Sequence, residues 1–193
     1  MKMLRGGDNM RTAIVSAFPG CGKSFIFNKY NGEKYNNDKK WKILDSDSSD
    51  YSWIKDENGN NTKERNPEFP NNYINHIKEN IGKVDIIFVS SHEIVRQALK
   101  DNKIKFFLIF PENNLKDDFI QRYKKRGNDE TFINFISNNW NNFINEMENE
   151  SDYFCLIEHL TEENPYITMK FLDSILEENE MGNLAFLWTM EGE

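Results

Sequence analysis

One short run, Ala17-Phe18-Pro19-Gly20-Cys21-Gly22-Lys23-Ser24, carries the residue types and spacing needed to grip a chain of phosphates. Glycines at positions 20 and 22 let backbone N–H groups curl inward without Cβ clashes. A helix starting directly after them adds partial positive charge at its N-terminus. A lysine there reaches the β- and γ-phosphates of a nucleoside triphosphate, and the hydroxyl of the next serine ligates Mg²⁺. The run matches the phosphate-binding pattern G-x-x-x-x-G-K-[ST] with Ala17 in place of the first glycine. It implies ATP and Mg²⁺ as cofactors, with Pro19, Gly20, Cys21, Gly22, Lys23, Ser24 and Phe25 as the binding residues. The plainer alternative is a glycine-rich strand-to-helix turn with a chance Lys-Ser. Cys21 has two readings of its own, a low-pKa thiol at a helix N-terminus or a small filler whose backbone matters. Either way the position is expected to be chemically exposed.

Phosphoryl transfer also needs a carboxylate near the metal. The apolar run 84–90 ends in Ser90-Ser91-His92 with no acid, and Asp85 lies at its wrong end. Asp45 and Asp47 directly follow the short apolar run 41–44. Ligands of an open parallel sheet gather at the carboxyl ends of its strands, so both acids are expected beside Lys23 and Ser24. Asp45 with Ser24 is the expected metal pair, and one of the two acids can serve as general base toward a substrate hydroxyl. The alternative is an Asp-Ser turn that caps a loop.

Arg122 and Arg126 are four residues apart and share one face of a helix. They are expected to clamp the transferring phosphoryl group as the site closes. With Lys124 and Lys125 they can equally form a solvated basic face. The catalytic set is therefore Lys23, Asp45, Asp47, Arg122 and Arg126. Trp53, Arg65, Tyr73, Ser91 and Arg96 are weaker substrate candidates, Arg65 and Arg96 for gripping an acceptor phosphate. Tyr51, Trp53, Phe69 and Tyr73 can stack on a base or sugar, or simply fold a long loop onto the core. His92 is a ligand or a helix-start residue.

Strands are expected at 12–16, 41–44, 84–90, 105–110 (ended by Pro111) and 153–157. Helices are expected at 23–30; from Asn71 or Asn72 as cap to 81; 92–100 with Ser91 as cap; 115–126; 131–147; and 166–176 opened by Pro165. The helix at 131–147 rests on Phe132, Phe135, Ile136, Phe143, Ile144 and Met147 at i, i+3, i+4 spacing. Residues 45–70 carry no clear period and read as a long substrate loop. Strands alternating with helices, without hairpin signals, imply parallel βαβ units. The expected fold is a single three-layer α/β domain over 10–180, of the P-loop NTPase type, with a parallel sheet of about five strands and a lid-like helix at 115–130. The apolar run 184–188 and the tail 181–193 are unplaced.

The chain has 193 residues, 38% hydrophobic and 29% charged, which suits one folded domain. Its formal net charge of −8 disfavours duplex nucleic acid, whose binding draws on basic patches. No apolar run approaches the roughly 20 residues of a membrane helix. Cys21 and Cys155 are too few for a disulfide framework or a zinc cage, and they fit a reducing cytoplasm. The 27 Asn, 19 Ile and 18 Lys against 4 Ala suit an AT-rich genome of a bacterium, virus or phage, so the expected location is the cytoplasm, the host's if phage-encoded. Arg5-Gly6-Gly7-Asp8 can be encoded by a ribosome-binding sequence placed before Met10, so 1–9 reads as translated leader or as a mobile N-terminus.

The phosphate-loop run, the Asp-x-Asp at 45–47 and the Arg-bearing helix together resemble the P-loop kinases of nucleotides and small molecules. The segment Val89-Ser90-Ser91-His92-Glu93-Ile94-Val95-Arg96-Gln97-Ala98-Leu99 is similar to a strand–Ser–helix segment of gluconate kinases. Phe106 to Arg126 resembles the strand, Pro and lid helix of gluconate and shikimate kinases. The runs LDSDSS (44–49), NPEFPNNYINHIK (66–78) and VDIIFVSSH (84–92) look most like small adenylate-kinase-like proteins of phages of Gram-positive bacteria. That resemblance spans roughly residues 11–150. It implies an ATP-dependent kinase whose partner is a small-molecule acceptor, a nucleotide or nucleoside; a sugar-acid kinase or an NTP-binding switch are the alternatives.

Overall fold

Apolar runs such as Ile86-Ile87-Phe88-Val89 and Phe106-Phe107-Leu108-Ile109-Phe110 have no polar alternation, so both faces must be covered, as in a parallel sheet. The computed structural model describes residues 12–34 and 40–174, and shows these runs as central strands. The elements are β1 (Ala13–Ala17), α1 (Lys23–Tyr30), β2 (Ile43–Asp45), α2 (Ser49–Ser52), β3 (Trp53–Lys55), β4 (Asn61–Arg65), α3 (Asn71–Asn80), β5 (Ile86–Ser90), α4 (Glu93–Asp101), β6 (Phe106–Pro111), α5 (Lys116–Lys125), α6 (Glu130–Glu148) and β7 (Cys155–Leu160). Residues 169–174 are also helical. The expected leader 1–9, the apolar run 184–188 and the tail 181–193 lie outside the described residues.

Five strands form one parallel sheet in the order β2-β5-β1-β6-β7, flanked by helices. β1 is central, with Ala17 opposite Ser90 of β5 and Ile109 of β6. The chain leaves β1 toward β2 on one side and leaves β6 toward β7 on the other. Such a divergence opens a crevice at the carboxyl ends of the strands, where Ala17, Asp45 and Ser90 all lie. Asp85 holds the opposite end: its carboxylate accepts the Lys42 N–H at 2.8 Å.

The structure departs from the sequence reading in six places. Residues 45–70 are not structureless: they hold α2 and an antiparallel hairpin of β3 and β4. Its strands are three and five residues long, mostly exposed and lack apolar alternation, so periodicity could not find them. The last strand runs Cys155–Leu160 rather than 153–157, because Asp152 caps its start by accepting the N–H groups of Phe154 and Cys155. Pro111 is the last residue of β6 rather than its terminator. The buried stripe of α6 is Ile133, Ile136, Trp140, Ile144 and Met147, while Phe135 is exposed. Neither Asn71, Asn72 nor Ser91 is a cap; Pro70 and His92 precede their helices, and the Asn72 amide donates instead to Tyr51 O at 2.9 Å. Pro165 does not open a helix at 166, because residues 165–167 are committed to the Ala17–Ser24 loop: Ile167 N–H donates to Cys21 O at 2.9 Å and Pro165 O accepts from Arg122 Nη1 at 2.8 Å.

Arg96 ties α4 to α6. It is 2% exposed, bonds Ser91 O and Glu146, and lies 3.3 Å from Glu150. Glu150 also pairs with Lys100 at 2.6 Å, so its charge keeps one partner if Arg96 is lost. Arg96→Ala is expected to lower unfolding free energy by about 2–3 kcal/mol, through the void and the orphaned Ser91 carbonyl, as read by urea denaturation.

Candidate functional site

The Ala17–Ser24 loop leaves β1 through two left-handed glycines, Gly20 at φ +87° and Gly22 at φ +107°. A Cβ on Gly20 would sit 3.1 Å from Tyr123 Cε1 and 3.3 Å from Phe119 Cδ1, so α5 packs against the bare backbone. The loop carbonyls are tied down on that side. Tyr123 Oη donates to Pro19 O at 2.7 Å and Arg122 Nη1 to Gly20 O at 3.2 Å. Phe18 anchors the base of the loop, its N–H on Ile109 O at 2.9 Å and its ring edge-on to Trp140 at 5.6 Å. With the carbonyls held outward, the N–H groups at the start of α1 remain. The first intrahelical bond is Ile26 N–H to Gly22 O, so Lys23, Ser24 and Phe25 have no intrahelical acceptor, and Gly22 has no side chain to cap them.

The loop forms one wall of a cleft of about 610 Å³. Pro19, Gly20, Gly22, Lys23, Ser24 and Phe25 line it, with Asp45 and Asp47 from the end of β2, Ser91 from the end of β5, and Arg122 and Arg126 from α5. Lys23 Nζ donates to Ala17 O at 2.6 Å. Burial pulls the Lys23 ammonium below its usual range, and the carboxylates of Asp45 and Asp47 oppose that shift. The carboxylate of half-buried Asp45 has no hydrogen bond or ion pair among the described residues. Asp47 plays two parts: Oδ1 accepts the Ser49 N–H at 2.8 Å at the start of α2, and the residue lines the cleft.

The two arginines of α5 differ. Arg122 is 8% exposed, its guanidinium sandwiched between Phe119 at 4.1 Å and Tyr166 at 3.9 Å, and it bonds Asp118, Gly20 O and Pro165 O. It braces the loop, α5 and residues 165–167 against one another. Arg126 is exposed, lines the cleft, and has no partner among the described residues.

Four weaker candidates lie elsewhere. Tyr73 is fully buried, donating from its hydroxyl to Ser46 O at 2.7 Å, and burial raises its pKa. Tyr51 and Phe69 pack on it at 5.1 and 6.2 Å, so these aromatics fold the 45–70 segment onto α3. Trp53 and Arg65 pair across the hairpin, guanidinium carbon 3.9 Å over the indole, and do not line the cleft. Arg96 is turned into the Glu146–Glu150 pair. The sequence reading missed Ser46, Ser48, Ser90 and Tyr166, which line the cleft with His92 and Lys125. The serines stand in or beside the acid-bearing runs already singled out; Tyr166 carries no local signal, because the contact of residues 165–167 with the loop is long-range.

Cys21 is not exposed. Its thiol is fully buried with Sγ 3.9 Å from Ile109 O, and desolvation pushes its pKa up to about 12. The filler reading accounts for it. Cys155 is likewise buried, its thiol raised to about 12 by burial. Because folding raises both values, their contribution to stability is complete below about pH 9, where the unfolded thiol begins to ionise, and is lost as pH climbs toward 12. The expected result is two thiols unreactive to a disulfide reagent in the native protein at pH 8, both titrating once urea unfolds it.

No family model matches the chain, and no curated protein matches it. Among the described residues no helix is long and apolar enough to cross a membrane, and no three His, Cys, Asp or Glu side chains gather to hold a metal.

Proposed function

We propose that this chain is a P-loop phosphotransferase of the three-layer NTPase type, moving the γ-phosphoryl group of ATP onto a hydroxyl of a nucleotide or nucleoside. The observation that carries this reading is one cleft that faces a glycine-built helix start and Lys23 toward the carboxylates of Asp45 and Asp47. The free N–H groups of Lys23, Ser24 and Phe25 suit phosphate oxygens, and Lys23 supplies fixed positive charge to them. Asp47 takes the proton of the acceptor hydroxyl. The acceptor oxygen bonds to the γ-phosphorus as the bond to the bridging oxygen breaks, and ADP leaves with that electron pair. Arg126, unpaired at the cleft edge, meets charge on the transferring group.

The donor set fits Mg²⁺. Ser24 and the unpartnered Asp45 are hard oxygen ligands in the same cleft, and this ion ordinarily takes one or two protein oxygens with phosphates and water rather than a full protein cage. When bound, it would neutralise charge on the phosphates. The resemblance of the 44–49, 66–78 and 84–92 runs to phage adenylate-kinase-like proteins supports the same reading.

A kinase of another hydroxylated metabolite is the second reading, favoured by the acids at the acceptor side, since a carboxylate repels a phosphate monoester. Incubation with Mg-ATP and an acceptor panel, with mass-spectrometric detection of phosphorylated product, tests the proposal. Multiple-turnover transfer supports it. ATP hydrolysis without transfer to any acceptor would instead favour an NTP-binding switch.

A further inference from the structure

We infer that the acceptor is an uncharged polyhydroxyl compound, the sugar of a nucleoside or a free polyol, and that neither a nucleoside monophosphate nor a sugar acid is preferred. This rests on the kinase reading and narrows it.

The strand order divides the cleft by charge. β5 and β2 lie on one side of β1, and β6, which leads into α5, on the other. Among the described residues the cations that line the cleft are Lys23 on the central loop and Arg122, Lys125 and Arg126 on the α5 side. The residues contributed from the ends of β2 and β5 bring none: they are Asp45, Asp47, serines 46, 48, 90 and 91, and His92. His92 is exposed at the cleft, and partial desolvation with the nearby charges of Arg65, Arg96 and Lys23 lowers its pKa, which favours the neutral imidazole. Two arginines from nearby elements could have changed this, and neither does. Arg96 is consumed by Ser91 O, Glu146 and Glu150. Arg65 lies over Trp53 on the hairpin, outside the cleft lining, although its charge is felt at His92. An acceptor phosphate or carboxylate on this side would face two carboxylates with no guanidinium to receive it. A sugar would meet a wall of hydroxyls and carboxylates.

Ser46 supplies an independent sign. Its N–H donates to Phe88 O at 2.9 Å and its carbonyl accepts from Tyr73 Oη at 2.7 Å, so its backbone is locked. The residue is 6% exposed in the cleft wall, and its Oγ, buried beside the Tyr73 hydroxyl, makes no well-aligned hydrogen bond among the described residues. Buried hydroxyls in folded proteins are nearly always bonded, so this one is matched when a ligand hydroxyl arrives.

The test uses the full chain with Mg-ATP and compares kcat/KM across nucleosides, neutral sugars and polyols, nucleoside monophosphates and sugar acids. The expected result is an uncharged acceptor favoured by at least about 100-fold over any anionic one, because an anion there faces two carboxylates. The nucleoside and polyol arms identify which source supplies the hydroxyl. Ser46→Ala is expected to raise KM for that acceptor about 10-fold and leave KM for ATP unchanged, with the melting temperature kept. A monophosphate or sugar acid preferred over every neutral compound overturns this inference and leaves the kinase reading standing. Transfer to no acceptor overturns both. An unchanged acceptor KM in Ser46→Ala removes Ser46 from the site and overturns the hydroxyl wall as its basis.

Discussion

Lys23→Ala is expected to lower kcat for the proposed phosphoryl transfer by about 100- to 1,000-fold, the scale of removing a fixed charge or donor aimed at a developing anion. The same substitution leaves the melting temperature of the nucleotide-free protein unchanged or raises it. The second half follows from the electrostatics. Burial depresses the Lys23 pKa, so folding disfavours the charged form and the ammonium destabilises the empty protein below its ordinary titration range. Its one direct bond, to Ala17 O, is a small loss by comparison. Lys23→Arg is not expected to restore activity, because a planar fork does not reproduce a compact ammonium at the same point. Steady-state kinetics and thermal melts on the three proteins check this. A variant that loses activity and melting temperature together would mark Lys23 as a structural residue.

What could be read from the chain depended on how local each signal was. Strands β1, β5 and β6 and helices α3, α4, α5 and α6 announce themselves through apolar runs or a 3.6-residue period, both set within a few neighbours; α1, where only Ile26 is buried, is marked instead by the glycine-built turn before it. The placement of Lys23, Asp45 and Asp47 around one cleft follows from a strand-end rule, given only that the sheet is parallel. Arg96 and Arg122 illustrate the limit. Each is an arginine on an amphipathic helix, and nothing within four residues says that Glu146, 50 residues on, and Glu150 beyond it wait for Arg96. For Arg122 the decisive partners are Gly20 O and Pro165 O, 102 and 43 residues away. Whether a guanidinium meets substrate or braces a fold is decided by such distant partners. The hairpin at 53–65 escaped for a different reason: two short exposed strands need no apolar pattern, so they leave none.

The sharpest division of labour is between the two acids. Asp47→Asn is expected to lower kcat by 100- to 10,000-fold, the range for losing general-base catalysis, while KM for ATP stays within about two-fold. Asparagine keeps an oxygen that can accept the Ser49 N–H at the start of α2, so the local fold should survive and melting should be unchanged. What it cannot do is take a proton. The variant's residual rate is therefore expected not to recover at any Mg²⁺ concentration. Asp45→Asn should behave otherwise. In the proposed reading half-buried Asp45 holds a cation with Ser24, so its loss is expected to raise the Mg²⁺ concentration for half-maximal rate, with much of the activity recovered by excess Mg²⁺. Titrating rate against Mg²⁺ for both variants separates proton transfer from charge neutralisation. If excess Mg²⁺ recovers Asp47→Asn and not Asp45→Asn, the two roles are exchanged, and the base is the carboxylate at the strand end rather than the one that accepts the Ser49 N–H.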